Sequence, residues 1–260
     1  MLVRDAGDSW QLVLQPDHAD LSGQLARAWG GEGFTAPEPF DAVVLAAMRH
    51  DDGWAVWERR PRRGPNGAPQ SFFTVPVPVH LTFYRAAVEV VRDEDPYAGL
   101  LVSMHMSGLY RARYGVMPGG PPQLEGEARA LADAFCEQEE ARQAALMAEL
   151  GADDAQRWTN YALLQVFDVV SLYFGLSDLE GGTEASFEGA PTADGGRTRL
   201  AISPLGPWRV RFEPFPFHAS PTVLTLARRL VPKRAWPRDD DFRRDFDAAA
   251  VETLRIVAER

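Results

Sequence analysis

The sequence predicts an α+β protein, mainly α with a small antiparallel sheet. Three observations predict it. Apolar residues recur at helical spacing in successive stretches between residues 15 and 175. Short alternating apolar runs, bounded by Gly, Pro and Asp, stand before and after them, at 1–14 and 181–235. With 260 residues, 45% of them hydrophobic, and no break in composition, the chain can bury one full core. A single domain over 1–260 is therefore expected, with a helical core at 15–175 and a strand-rich part at 181–235 that pairs with the N-terminal strands.

The elements follow in order. Leu2 to Arg4 and Trp10 to Leu14 read as strands joined by the turn-forming "DAGDS". In "PDHADLSGQLARAWGG", Asp17 is the expected N-cap, Leu21, Leu25 and Trp29 form a stripe, and Gly30 is the stop, so His18 falls in the first turn. "PFDAVVLAAMRHDDGW" is a second helix with His50 and Asp51 in its last turn. From Trp57 to Pro78 the chain is rich in Arg, Pro and Gly and reads as a long loop, a candidate lid. "HLTFYRAAVEVVRD" opens a helix with His80 in its first turn. In "DEDPYAGLLVSMHMSGLY", Asp95 caps, Pro96 takes the first helical position and Gly108 ends the helix just past His105. A charged amphipathic helix around Leu131, Phe135 and Leu146 covers one side. "DDAQRWTNYALLQVFDVVSLYFG" is apolar nearly all round in its second half and runs through the core, with Asp168 in it. "TRLAISPL", "WRVRFEPFPF" and "TVLTLARRLV" read as three short antiparallel strands, and "FRRDFDAAAVETLRIVAE" as a closing helix.

Charge and composition exclude several functions. A net charge of −10 and a pI near 5.0 argue against nucleic acid or an anionic membrane as main partner. Cys136 is the single cysteine, so neither a disulfide framework nor a thiolate metal cluster is available. The start lacks the apolar run of a signal peptide, and no apolar segment reaches membrane-spanning length; a cytoplasmic protein is expected. No Gly-x-Ser-x-Gly elbow and no phosphate-loop or dinucleotide glycine spacing occurs. Oligomeric state leaves no mark.

The informative residues are a buried carboxylate and four histidines. Asp168 needs an arginine, a hydrogen-bonding network or a metal ion to offset its charge in an apolar helix. Gln165 and Ser171 share its helical face, and with Gln15 beside His18 they are the groups expected to hold the ligands in place. His18, His50, His80 and His105 each lie in a terminal turn of a different helix. Imidazole and carboxylate together suit borderline divalent ions rather than a structural zinc knot. His218, in the strand-rich part, is expected to be structural.

His18, the pair His50-Asp51, then His80, His105 and Asp168, in that order on successive helices, resemble the His…His-Asp…His…His…Asp series of the HD-domain superfamily. That superfamily holds metal-dependent phosphohydrolases and a smaller branch of mixed-valence di-iron oxygenases. More narrowly, "QPDHADLSGQLARAWG", "HDDGW", "LLVSMHMSGLY" and "QVFDVVSLYFG" resemble the DUF3891 family of unknown function. The resemblance implies an HD-like helical core with two divalent transition-metal ions (Fe, Mn, Zn or Ni). His18, His50, Asp51 and Asp168 would hold one, and Asp51 would bridge to a second at His80 and His105. Asp51 and Asp52 are the candidate catalytic carboxylates. Trp54 stands where HD enzymes often carry Lys or His, which argues against phosphate binding there.

Two ions would generate a hydroxide and clamp a phosphoryl group, so hydrolysis of a small anionic phosphoester is the first expectation. Arg49, Arg85 and Arg111, with Trp54, are the expected substrate-facing residues, and Arg59, Arg60, Arg62 and Arg63 a basic rim on the loop. A di-iron oxygenase of a small polar substrate and a non-catalytic metal- or ligand-binding module are the alternatives.

Overall fold

The structure, a computed structural model, describes residues 1–113, 115 and 123–260. The chain opens with the antiparallel hairpin β1 (Leu2–Asp5) and β2 (Ser9–Val13). Helices α1 (Gln15–Ala28), α2 (Phe40–Arg49), the single turn α3 (Ala55–Glu58), α4 (Val77–Glu94), α5 (Pro96–Gly108), α6 (Gly126–Leu150) and α7 (Asp154–Leu176) follow. β3 (Ala185–Pro191), β4 (Arg197–Gly206), β5 (Arg209–Glu213) and β6 (Thr222–Pro232) come next, then α8 (Asp239–Ala248) and β7 (Val251–Glu259).

The helix starts show why these segments fold where they do. The Asp95 carboxylate accepts from the Ala98 N–H at 2.8 Å and Asp153 from Gln156 at 2.7 Å, each satisfying a donor that the first turn leaves open. α1 is capped differently from expectation. Leu14 holds the cap position, Pro16 opens the helix, and Asp17 sits inside the first turn. The Gln15 N–H finds its acceptor on Glu58, a buried carboxylate that also meets the Met1 amino group. A long-range partner thus replaces the local cap, which is why Asp17 misled.

α5 is buried from Tyr97 to Gly108, the mark of a central helix, and α7 is buried from Asn160 to Val170. α2, α4, α6 and α7 pack against α5, and α1 packs on α2 and α7. Side chains such as Leu21, Val43, Leu101, Phe167 and Phe174 fill the space between them.

The sheet departs from the small antiparallel one expected. Among the described residues it has seven strands in the order β1-β2-β6-β7-β5-β4-β3, and it is mixed because β5 and β7 run parallel. β2 pairs with β6, so the N-terminal hairpin joins the C-terminal strands. The expected closing helix is also corrected: it stops at Ala248, and Val251–Glu259 is a strand between β6 and β5. Its composition favours helix, but Leu254, Ile256 and Ala258 are buried while Glu252, Thr253 and Arg255 are exposed. That alternation fits a sheet covered on one face, and tertiary pairing overrides local propensity. β3 was not foreseen. Among the described residues no helix is long and apolar enough to cross a membrane.

Candidate functional site

Four helices bring the expected ligands to one place in the core. His18 comes from the first turn of α1, His50 from the C-terminal cap of α2, His105 from the last turn of α5 and Asp168 from the buried stretch of α7. Asp51, one residue past the α2 cap, is buried beside them. One ligand atom from each of His18, His50 and Asp168 lies within 4.8 Å of the others. Asp51 Oδ2 stands 2.9 Å from His18 Nε2 and 3.8 Å from His50 Nε2, and Asp168 Oδ1 stands 3.4 Å from His50 Nε2. The His105 ring packs edge-on against His50, with centroids 4.9 Å apart.

The hydrogen bonds at the back of the rings fix what the rings present in front. His50 Nδ1 lies 2.9 Å from the Ala47 carbonyl, which can only accept, so Nδ1 carries the hydrogen and Nε2 the lone pair. His18 follows the same pattern. The Ser171 hydroxyl donates to the Asp168 carbonyl at 2.8 Å, so toward His18 Nδ1, also at 2.8 Å, it accepts. Ser22 supports Ser171 from 2.9 Å. Both Nε2 lone pairs therefore face the carboxylates of Asp51 and Asp168, and lone pairs facing carboxylates require a cation between them, a proton or a metal ion.

The electrostatics express the same requirement. Burial opposes a charge on His50, yet the Asp51 and Asp168 carboxylates raise its pKa to about 9. Burial likewise works against ionising Asp51 and Asp168, but the neighbouring histidines hold both below the usual carboxylate range. His105 is pushed down to about 4, chiefly by burial, which keeps its imidazole neutral at physiological pH. Ligands bound to one ion at about 2.0–2.2 Å stand about 3–3.5 Å from each other. The donor set of His18, His50 and Asp168 is one that could hold a divalent ion, with the His50–Asp168 pair at that spacing and the trio as a whole within 4.8 Å.

The remaining expected residues divide sharply. The Gln15 amide donates to Asp51 Oδ2 at 3.1 Å, and Ser171 holds His18, so both support the cluster. Gln165 does not: its amide accepts from the Gly115 N–H and donates to the Arg113 carbonyl, tying down the segment after α5. His80 faces the same cavity, but its Nε2 donates to the Phe72 carbonyl at 3.0 Å and it lies outside the compact trio. Trp54 is buried against His80 and Phe83, a packing position. Asp52 points to Arg49 at 2.6 Å, and Arg49 also pairs with Glu94. Arg85 lies over the Phe135 ring, and Arg111 pairs with Asp133 at 3.0 Å and Glu140 at 3.2 Å. The structure brings none of these three arginines, nor Asp52, into the cavity wall.

His18, Asp51, His105 and Asp168 of the cluster line a cavity of about 720 Å³. The long loop borders it, as a lid would, but through Phe72, Phe73 and Val75. Its arginines are elsewhere: Arg62 stacks on Trp57, Arg63 pairs with Asp239 on α8, and Arg59 and Arg60 are exposed. His218 Nδ1 bonds the Ala28 carbonyl at 2.8 Å, the structural role expected. Two parts of the site escaped sequence reasoning. Ser22, one helical turn after His18, had a readable signal in its spacing; Tyr173 and Phe187, on α7 and β3, had none.

Neither the curated proteins nor the solved structures contain a significant match to this chain. One family model, described as "Protein of unknown function (DUF3891)", matches residues 1–233, nearly all of the chain and every residue of the cluster. The chain therefore belongs to the DUF3891 family.

Proposed function

We propose that this protein is a metal-dependent hydrolase of HD-like type, with divalent ions held by His18, His50, Asp51 and Asp168 and with His105 and His80 on the second-ion side. The observation that carries this reading is the pair of buried histidines that give their Nδ1 hydrogens to a carbonyl and a hydroxyl and turn both Nε2 atoms toward two carboxylates. Metal-ligating histidines are held in this way. A bound divalent ion supplies Lewis acidity and a water that ionises near neutral pH. Asp51, steadied by Gln15 and exposed to the cavity, is the carboxylate placed to take up a proton released there. The phosphoester expected from sequence loses support, because its cationic partners Arg49, Arg85 and Arg111 are engaged away from the cavity.

A second reading, a di-iron oxygenase, is favoured by one observation: aromatic side chains, including Phe72, Tyr84 and Tyr110, line the cavity near the cluster. Elemental analysis of protein prepared without chelator, with visible and near-ultraviolet spectra, tests both. One or two transition-metal ions per chain are expected, lost in Asp168→Ala and retained in His218→Ala. Iron with a charge-transfer band favours the oxygenase; another ion with turnover of a neutral ester favours the hydrolase. A chain that stays metal-free after reconstitution overturns both.

A further inference from the structure

The cavity is larger and more apolar than a metal centre needs. Its volume of about 720 Å³ lies in the range of pockets that enclose a whole organic ligand. Along α7 the lining begins at Asp168, beside the histidines. From there Val169, Leu172 and Leu176 line it along α7, at a spacing that places them on one helical face, and Phe72, Leu109 and Phe187 line it from other elements. From Asp168 to Leu176 the helix rises about 12 Å. Three backbone bonds extend about 3.3–3.6 Å, so an extended chain spans that length in roughly ten bonds.

Charge narrows the ligand further. Among the described residues no Arg or Lys lines the cavity. Its acidic groups are Asp51 and Asp168 at the cluster and the exposed Glu184 on the wall. An anionic tail would meet no partner, and burying it would be costly. A neutral tail meets aliphatic and aromatic walls that match it.

We propose that the cavity binds an amphiphile with a neutral oxygen-bearing head at the histidine–aspartate cluster and an unbranched alkyl tail of roughly eight to ten carbons along Val169, Leu172 and Leu176. The placement of the head rests on the metal reading above. The tail rests on the cavity alone.

The probes are straight-chain 1-alkanols from butanol to dodecanol. Their dissociation constants are measured by displacement of a polarity-sensitive dye, on metal-loaded and on chelator-treated full-length protein. Affinity is expected to rise about fourfold per added methylene, in both preparations, and to level off near decanol. Leu172→Arg, at a half-buried position on the wall, is expected to abolish the increment and leave metal content unchanged. Leu176→Arg, also half-buried, serves as the second variant if the first does not fold. An affinity independent of chain length overturns the proposal, as does one that keeps rising through dodecanol or survives in a folded arginine variant. Elemental analysis of the same samples keeps the two readings apart. Chain-length dependence without bound metal removes the metal centre and keeps the tail site; bound metal with a flat series does the reverse.

Discussion

Gly53 lies where the turn carrying Asp51 crosses α4. A Cβ built there would stand 1.9 Å from the Phe83 carbonyl oxygen and 2.7 Å from its carbon, well short of the 3.4 Å at which ordinary contact begins. Gly53 has an ordinary φ, so Gly53→Ala acts through this contact alone. Both sides of it are backbone, so no side-chain rotation relieves it. The turn and α4 must separate by about 1.5 Å, a distance that also parts Trp54 from His80, whose rings are now 4.9 Å apart. Overpacking costs about 1–3 kcal/mol, and a backbone-on-backbone clash belongs at the upper end, about 3 kcal/mol. For a chain of this size that corresponds to a fall in Tm of about 6–12 °C. Urea unfolding of Gly53→Ala, with Gly64→Ala as control, measures it. The control is expected within about 0.5 kcal/mol of wild type, because its Cβ meets the flexible Asn66 side chain at 3.3 Å and backbone atoms only at the ordinary distances of 3.8 and 3.9 Å. A Gly53→Ala loss equally small would refute the close crossing of this turn over α4, and with it a steric reason for the glycine after His50-Asp51.

Two further outcomes follow from buried groups. Burial lifts the Asp17 carboxyl from 3.8 to about 6, so the folded state holds its proton more tightly and loses stability as pH climbs from about 4 to 6. The full shift is worth about 3 kcal/mol, reduced to about 1–2 by the water the group still meets. Asp17→Asn should therefore stabilise the protein by about that much at pH 7 and by almost nothing at pH 4, and equal effects at both would refute the linkage. Burial also raises the Cys136 thiol from 9.0 to about 11, which lowers its thiolate fraction about 100-fold near pH 8. A thiol-disulfide reagent should react at least that much faster with unfolded protein than with native, and rates within tenfold would mean the thiol is accessible.

The helical half of the fold was legible because each helix carries its own signals. Asp95, Pro96 and the apolar stripe of α1 act within a turn or two of where they stand, and so did the placement of His18, His50, His80 and His105 at helix ends. The sheet was less legible. β7 is written in helix-favouring residues and owes its form to β6 and β5 on either side, the first of them some twenty residues earlier. The same distinction holds at the site. Asp168 announced itself as a charge in an apolar helix, whereas the arginines looked available for a substrate. Their partners, such as Glu94 for Arg49 and Asp133 for Arg111, are distant in sequence, and only the fold shows them occupied. Gln165 shares a helical face with Asp168, as its spacing said, but a side chain of that length reaches past its neighbour to the backbone of the next segment.

The position of β7 sets an order of assembly. Among the described residues it is the strand that links the trio β1-β2-β6 to the trio β5-β4-β3, and it follows the other six in sequence. During synthesis every helix that carries a histidine or aspartate of the cluster emerges before β7, so even the pairing of His18 with Asp168 and Ser171, across some 150 residues, can form before that strand is made. The two half-sheets must then wait, with open edges facing each other, until the last strand slides between them. Those edges are the ones that could pair with another chain in the interval, which makes Val251–Glu259 a guard against misassembly as well as a part of the sheet.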